Sequence, residues 1–230
     1  MTNKIVNSVA EALSGIDDGA SVMIAGFGLV GQPDALINGL IERGVGDLTL
    51  IMNNAGMVAG VGASLLLELG RVRKIICSFP RAEGNKVFGE LYSRGRIELE
   101  LVPQGTLAER IRAAGAGIGG FYTPTAAGTM LAEGKEVRVL NGVPQVLELP
   151  LHADVALLQA WRADPLGNLT YRGTGRNFNP IMATAARLSI VETCHLAGIG
   201  ELDPEMIVTP GIYIDRIVHV AEPRLSAGGN

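Results

Sequence analysis

Short apolar runs alternate with stretches of helical periodicity over residues 21–115, and this alternation constrains the fold more than any other feature of the chain. Parallel neighbours need a crossover between them, so strand–helix–strand repetition implies a parallel sheet covered on both faces. SVMIA (21–25) reads as a strand. Leu36, Ile37, Leu40 and Ile41 form the buried stripe of the helix after it, with Pro33 in its first turn. DLTLIMNN (47–54) and VRKIICSF (72–79) are the next strands, separated by a short helix, GASLLLELG (62–70). RIELELV (96–102) then runs into a helix marked by Leu107, Ile111 and Ala114.

The flanks complete one large domain over 1–220, and 221–230 reads as a flexible tail. Val6, Val9, Ala10 and Leu13 predict an opening amphipathic helix. EVRVLNGVPQVLEL alternates across Asn141-Gly142, a strong hairpin signal. HADVALLQAWRADPLGNLTYR predicts a buried strand, a turn and a return strand; NPIMATAARL is helical, SIVETC is a strand, and IYIDRIVHV (212–220) closes the ordered chain. The expected architecture is a single three-layer α/β/α domain with a mainly parallel sheet plus hairpins.

Composition excludes several function classes. Charge is −4 with acids and bases interspersed, so no basic face points to nucleic acid. No apolar stretch approaches a membrane span. The opening MTNKIVNSVAEAL lacks the apolar core of a secretory signal, so a cytoplasmic protein is expected. Cys77 and Cys194 stand in apolar runs and read as buried thiols. His152, His195 and His219 share no ligand spacing, so no metal site is expected. Trp161 and Phe178 read as packing residues, and Glu109 and Arg110 as a solvated helix face.

Gly26, Gly28 and Gly31 spell G-x-G-x-x-G between the first strand and its helix, the context of a dinucleotide-binding turn. That fold also needs an Asp or Glu at the end of the second strand to hold the ribose. Here the strand ends in Asn53 and Asn54, and the next acid, Glu68, lies inside a helix. A nicotinamide dehydrogenase is therefore disfavoured. The glycines still let backbone N–H groups approach a ligand near a helix whose dipole favours anions. Phe27 is either folded into the core or part of a binding loop.

DDGASVMIAGFGLVGQP (17–33) resembles the first signature of the class I, or 3-oxoacid, coenzyme A transferases; Asp18, Gly19, Val22, Met23, Ile24, Gly26, Phe27, Gly31 and Pro33 match it. Ala25 replaces a usual glycine. NNAG (53–56), VPQGTLAERIRAAGAGIGGFYTPT (102–125), LLQAWRADPLGNLTYR (157–172), RNFNPIMATAAR (176–187) and GELDPEMIVTPGIYIDRIV (200–218) extend the resemblance to the family's A subunit. Gly175 stands where an alanine is usual, a neutral departure.

The resemblance implies transfer of CoA between carboxylic acids with no metal or redox cofactor, CoA thioesters being substrates. A glutamate attacks the acyl-CoA, and the resulting enzyme thioester passes CoA to the second acid. In the family that glutamate lies in a Ser-Glu-Asn-Gly stretch of the B subunit, which is absent here; RAEGNK (81–86) does not match it. A homologous B subunit is the implied partner, in an A2B2 heterotetramer. By resemblance Ala25, Gly26, Phe27, Gly28, Leu29, Val30 and Gly31 bind CoA, and the Gln104 amide stabilises the oxyanion. Asn53 and Asn54 are pocket candidates, since open sheets bind ligands at the carboxyl ends of their strands.

CSFPRAEGNKVFGELY (77–92) resembles the branch that uses 3-oxoadipate, whose second carboxylate makes Arg81 a candidate contact. Succinyl-CoA:acetoacetate or acetate/acetoacetate transfer is the alternative. A sugar-phosphate-binding module of related fold is a distant one.

Overall fold

The computed structural model describes residues 3–221, so the expected tail, Ala221 apart, lies outside the described residues. The first half alternates as the sequence pattern requires: β1 (Ile5–Val6), α1 (Val9–Ala12), β2 (Ser21–Ile24), α2 (Asp34–Arg43), β3 (Leu48–Ile51), α3 (Ala63–Glu68) and β4 (Val72–Cys77). Then come α4 (Val87–Ser93), β5 (Glu98–Leu101) and α5 (Gln104–Gly115). The second half is richer in strand: β6 (Phe121–Thr123), β7 (Val137–Leu140), β8 (Val143–Glu148), β9 (Ala153–Ala163) and β10 (Leu169–Thr170) precede α6 (Asn179–Ala185), β11 (Ala186–Leu196) and β12 (Arg216–His219).

The main sheet runs β1-β12-β11-β9-β2-β3-β4-β5, with every neighbouring pair parallel and β10 added antiparallel to β9. One core packs Leu36, Ile37 and Leu40 of α2, Leu66 and Leu67 of α3 and Phe88 of α4 against one face. The other packs Leu107 and Ile111 of α5 and Met182 of α6 against the opposite face. Each such fully buried side chain contributes about 1.5–3 kcal/mol, so the two faces together fix the three-layer α/β/α arrangement. Among the described residues no helix is long and apolar enough to cross a membrane.

Local chemistry shifts some expected elements. Val6 is not helical: it pairs with Val218 at the sheet edge. The Ser8 side chain accepts the Glu11 N–H (3.1 Å), and Glu11 Oε2 accepts the Asn7 N–H (2.9 Å). This reciprocal cap starts α1 only at Val9 and leaves Ala10 exposed. Pro33 is the residue before α2, not in its first turn. Residues 212–220 split into a 3-10 turn ending at Tyr213 and the strand β12.

A separate antiparallel sheet, β6-β8-β7, is tied to the body through Glu148. That carboxylate is buried and lies 2.6 Å from Lys135 Nζ and 3.8 Å from Arg110 Nε. Arg110 also meets Glu100 at 2.8 Å. Arg110 is thus a half-buried clasp between α5 and the accessory sheet, contrary to the solvated face expected for it. Its neighbours on the helix, Glu109 and Arg112, do pair in solvent.

The strand order reverses direction at β2 and β9: from β2 the chain moves towards β3, and from β9 towards β11. The crevice at the carboxyl ends of those two strands is a topological switch point, where open α/β sheets hold ligands.

Candidate active site

The segment leaving β2 enters that crevice. Ala25 extends the ladder by donating its N–H to Leu157 O of β9 at 3.1 Å. Phe27 to Val30 then form a two-residue hairpin turn, closed by Phe27 N–H to Val30 O (3.0 Å) and Val30 N–H to Phe27 O (3.2 Å). Gly28 takes the first central position at φ 65°, which glycine adopts without strain. The turn exposes its apolar residues: Phe27 is 52% accessible, and Leu29 and Val30 are exposed beside it. Burial of Phe27 in the core is therefore excluded. Among the described residues the N–H groups of Gly28 and Leu29 have no hydrogen-bond partner.

Asn53 and Asn54 leave the carboxyl end of the adjacent strand β3, and both are buried. Asn54 Oδ1 accepts the Gly56 N–H (3.0 Å), a local turn bond that ends the strand. Asn53 does more. Its Oδ1 accepts from Ser78 Oγ (2.9 Å), beyond β4, and from Gln104 Nε2 (2.7 Å) at the first position of α5. Three successive crossovers thus converge on one amide oxygen. A planar amide presents two N–H vectors, so Gln104 spends one on Asn53 and keeps the other. The Nδ2 groups of Asn53 and Asn54 are likewise without a partner among the described residues.

Together these residues enclose a pocket of about 390 Å³. Phe27 and Gly28 form one wall, Asn53, Asn54 and Gln104 the polar end, and Met57, Ser78 and Phe79 the remainder. Among the described residues no carboxylate and no cation lines it. Arg81 is not brought there. It is exposed and opens on another groove, of about 540 Å³, with Lys86, Glu83 and Glu90.

The helix N-terminus behind the glycine turn is already filled by the chain itself. Glu192 of β11 is buried, and its Oε2 accepts the Leu36 N–H at 2.9 Å. Burial pushes this carboxyl up to about 7, with Asp34 adding to the rise while the Leu36 and Ala35 N–H groups and Gln159 oppose it. An anionic ligand on the first turn of α2, as the glycine pattern suggested, would compete with this carboxylate. The donors without a partner among the described residues are on the turn and the amides instead.

Sequence reasoning missed Glu192. Its signal was a lone acid inside an apolar strand, SIVETC, where a buried charge needs a partner. Trp161 and Cys194 also differ from their expected burial. Trp161 is 39% accessible, sits edge-on to His195 (4.2 Å) and lies under the Arg172 guanidinium (4.8 Å). They line a second cavity of about 430 Å³ with the partly exposed Cys194, whereas Phe178 and Cys77 are buried as expected. Burial raises the Cys77 thiol to about 12, which keeps it protonated and inert. Among the described residues no metal-ligating cluster forms.

A doubly wound α/β domain with a donor-rich pocket at the carboxyl ends of β2, β3 and β4, lined by no acid among the described residues, is the class the geometry defines. The coenzyme A transferase family profile matches residues 6–220, and the chain belongs to that family. It is 55% identical over 221 residues to the A subunit of the 3-oxoadipate CoA-transferase of Pseudomonas putida, covering 96% of this chain and 95% of that one. Identity is 52% to the protein of the same name in Acinetobacter baylyi (99% of both chains). It is 50% to the A subunit of the succinyl-CoA:3-ketoacid coenzyme A transferase of Xanthomonas campestris (92% of this chain, 87% of that one). Among solved structures, an acyl-CoA transferase from Escherichia coli O157:H7 in a thioester complex with CoA superimposes with TM-score 0.85 at 19% identity. That likeness covers all of this chain but only 49% of the other, so the chain spans about half of that protein.

Proposed function

We propose that this chain is the A subunit of a CoA-transferase that moves CoA from succinyl-CoA to a 3-oxo acid, 3-oxoadipate being the favoured acceptor. The observation that carries the reading is the pocket itself: a turn with free N–H groups, three side-chain amides and no acid. Such a lining stabilises developing negative charge without titrating, and it cannot supply a carboxylate nucleophile. The attacking glutamate belongs to a homologous B subunit in this scheme, and the two chains assemble as A2B2.

The partner's carboxylate adds to the thioester carbonyl, giving a tetrahedral oxyanion that collapses to an acyl-glutamyl anhydride with loss of CoA thiolate. The thiolate attacks the glutamyl carbonyl, releasing succinate and leaving a glutamyl-CoA thioester. The 3-oxo acid repeats both steps in reverse and leaves as its CoA ester, so atoms and charge balance without metal or redox cofactor. The free N–H of Gln104 donates to the oxyanion. Asn53 fixes the direction of that amide by accepting its other hydrogen at 2.7 Å. The exposed face of the 27–30 turn receives the CoA thioester.

The names of the relatives at 55% and 52% identity, together with the run at 77–92, favour 3-oxoadipate; the Xanthomonas relative, named for a 3-ketoacid, is compatible with the acetoacetate-using alternative as well. Purified alone, the chain should transfer no CoA. With its B partner and succinyl-CoA, borohydride should reduce a glutamyl thioester on the partner, located by peptide mass mapping. Reduction of a carboxylate on this chain, or transfer by this chain alone, overturns the division of labour. Equal kcat/KM for acetoacetate and 3-oxoadipate overturns the substrate preference.

A further inference from the structure

The glycine turn is fastened by a segment about 150 residues away. Asn177 Oδ1 accepts the Gly26 N–H (3.1 Å), and Asn177 Nδ2 donates to Val30 O (3.0 Å), so one amide spans both arms of the turn. Asn179, fully buried two residues on, donates Nδ2 to Gly31 O (3.2 Å) while its Oδ1 accepts the Gln159 N–H of β9 (2.8 Å). Gln159 in turn donates Nε2 to Gln32 O (3.1 Å). The fit is close: a Cβ on Gly31 would lie 2.5 Å from Asn177 Nδ2 and 2.6 Å from Gly175 O. Gly175 has open space beyond its own Cα, so the usual alanine there would leave the latch intact.

We propose that Asn177 and Asn179 are positioning residues that hold the 27–30 turn at the height where Phe27 and Gly28 form the wall of the pocket. Left to itself, a two-residue turn with an exposed apolar tip samples many orientations, and each must be lost on binding. The latch removes that cost in advance. It does so with side-chain amides bound to backbone atoms of the turn, leaving the Gly28 and Leu29 N–H groups unused. The functional meaning rests on the turn receiving the acyl-CoA; the latch itself does not.

Asn177→Gly and Asn177→Asp test this in the enzyme assembled with its B partner. Glycine accepts the positive φ of this position (20°) but deletes both bonds to the turn, together with the local ones to Thr174 O (3.0 Å) and from the Phe178 N–H (2.7 Å). Aspartate keeps the acceptor for the Gly26 N–H and sets a carboxylate against Val30 O. Both variants should raise KM for succinyl-CoA by about tenfold, with kcat changed less than about threefold, as loss of ground-state organisation predicts. Amide exchange in residues 26–31 should accelerate by about tenfold or more in either variant, while core strands keep their protection. Raised KM and faster exchange with unchanged global melting support positioning. Wild-type KM and wild-type exchange in Asn177→Gly, or in Asn177→Asp if the glycine variant does not fold, overturn the proposal. An inactive wild-type assembly would defeat the functional reading instead, and exchange would still decide the latch.

Discussion

Two turns in this protein share one local design and serve different ends. Phe27–Val30 and Leu140–Val143 are both two-residue hairpin turns with a glycine at positive φ, and both expose apolar residues on either side. At Asn141-Gly142 both central residues take positive φ, the pattern that matches the twist of the flanking strands. That turn joins β7 to β8, and a Cβ built on Gly142 meets nothing within 4 Å. The other turn is bonded to Asn177 and Asn179 and walls a pocket. Turn chemistry is the same in kind; the tertiary bonds around it make one a hairpin and the other a wall of the candidate site.

The difference between the turns is most exposed to mutation at Gly31. Its φ is 71°, and an added methyl group would press on Asn177 and Gly175. Backbone strain and overpacking together should destabilise Gly31→Ala by about 4 kcal/mol, with transfer activity lost in whatever folds. A denaturant midpoint equal to wild type would mean the contact is soft and the latch loose.

Glu192 bears on the same contrast from behind the turn, since it occupies the α2 N-terminus that a ligand anion would otherwise use. Its carboxyl is raised to about 7, chiefly by burial. The folded state therefore holds a proton that the unfolded chain has released, and stability from this group is present below the unfolded value and lost as pH rises through about 7. Relative to wild type, Glu192→Gln should gain about 3 kcal/mol between pH 4.5 and 8. Parallel stability curves for the two proteins across that range would show that Glu192 is ionised throughout.

Gln104→Ala probes the pocket wall facing the turn. One lost oxyanion donor should lower kcat of the reconstituted enzyme by about a hundredfold or more, with little change in melting or assembly. Asn53→Ala should reproduce part of that loss, because it frees the Gln104 amide to rotate. A wild-type kcat in Gln104→Ala would remove the residue from the oxyanion site.

Much of the fold was legible from periodicity alone. The buried stripe of α2 and the helix at Leu107, Ile111 and Ala114 pack as their spacing predicted. The Asn141-Gly142 hairpin also formed where the dipeptide placed it. The site was legible only in its parts. Asn53, Asn54, Gln104 and the glycine turn could be singled out, yet nothing in their spacing said that β3, β4 and α5 would converge on Asn53 Oδ1. Asn177 and Asn179 were invisible for the same reason: their bonds reach across the β2–β9 boundary, which no local pattern encodes. Arg81, proposed from charge complementarity, opens in this chain on a different groove.

The smallest expected effect belongs to the free turn, and it is the control on which the contrast depends. Gly142→Ala forces a side chain into a left-handed conformation (φ 78°) but meets no neighbouring atom. Only the conformational cost remains, about 1 kcal/mol, which for a chain of this size lowers Tm by about 2–4 °C. Activity in the assembled enzyme should be unchanged, because the Leu140–Val143 turn contributes nothing to the lining of the amide pocket. Loss of stability as great as in Gly31→Ala would show that the two turns are equally constrained and that the Asn177 latch adds little. Loss of activity with only this slight destabilisation would instead assign the exposed residues of β7 and β8 to the surface that meets the B partner.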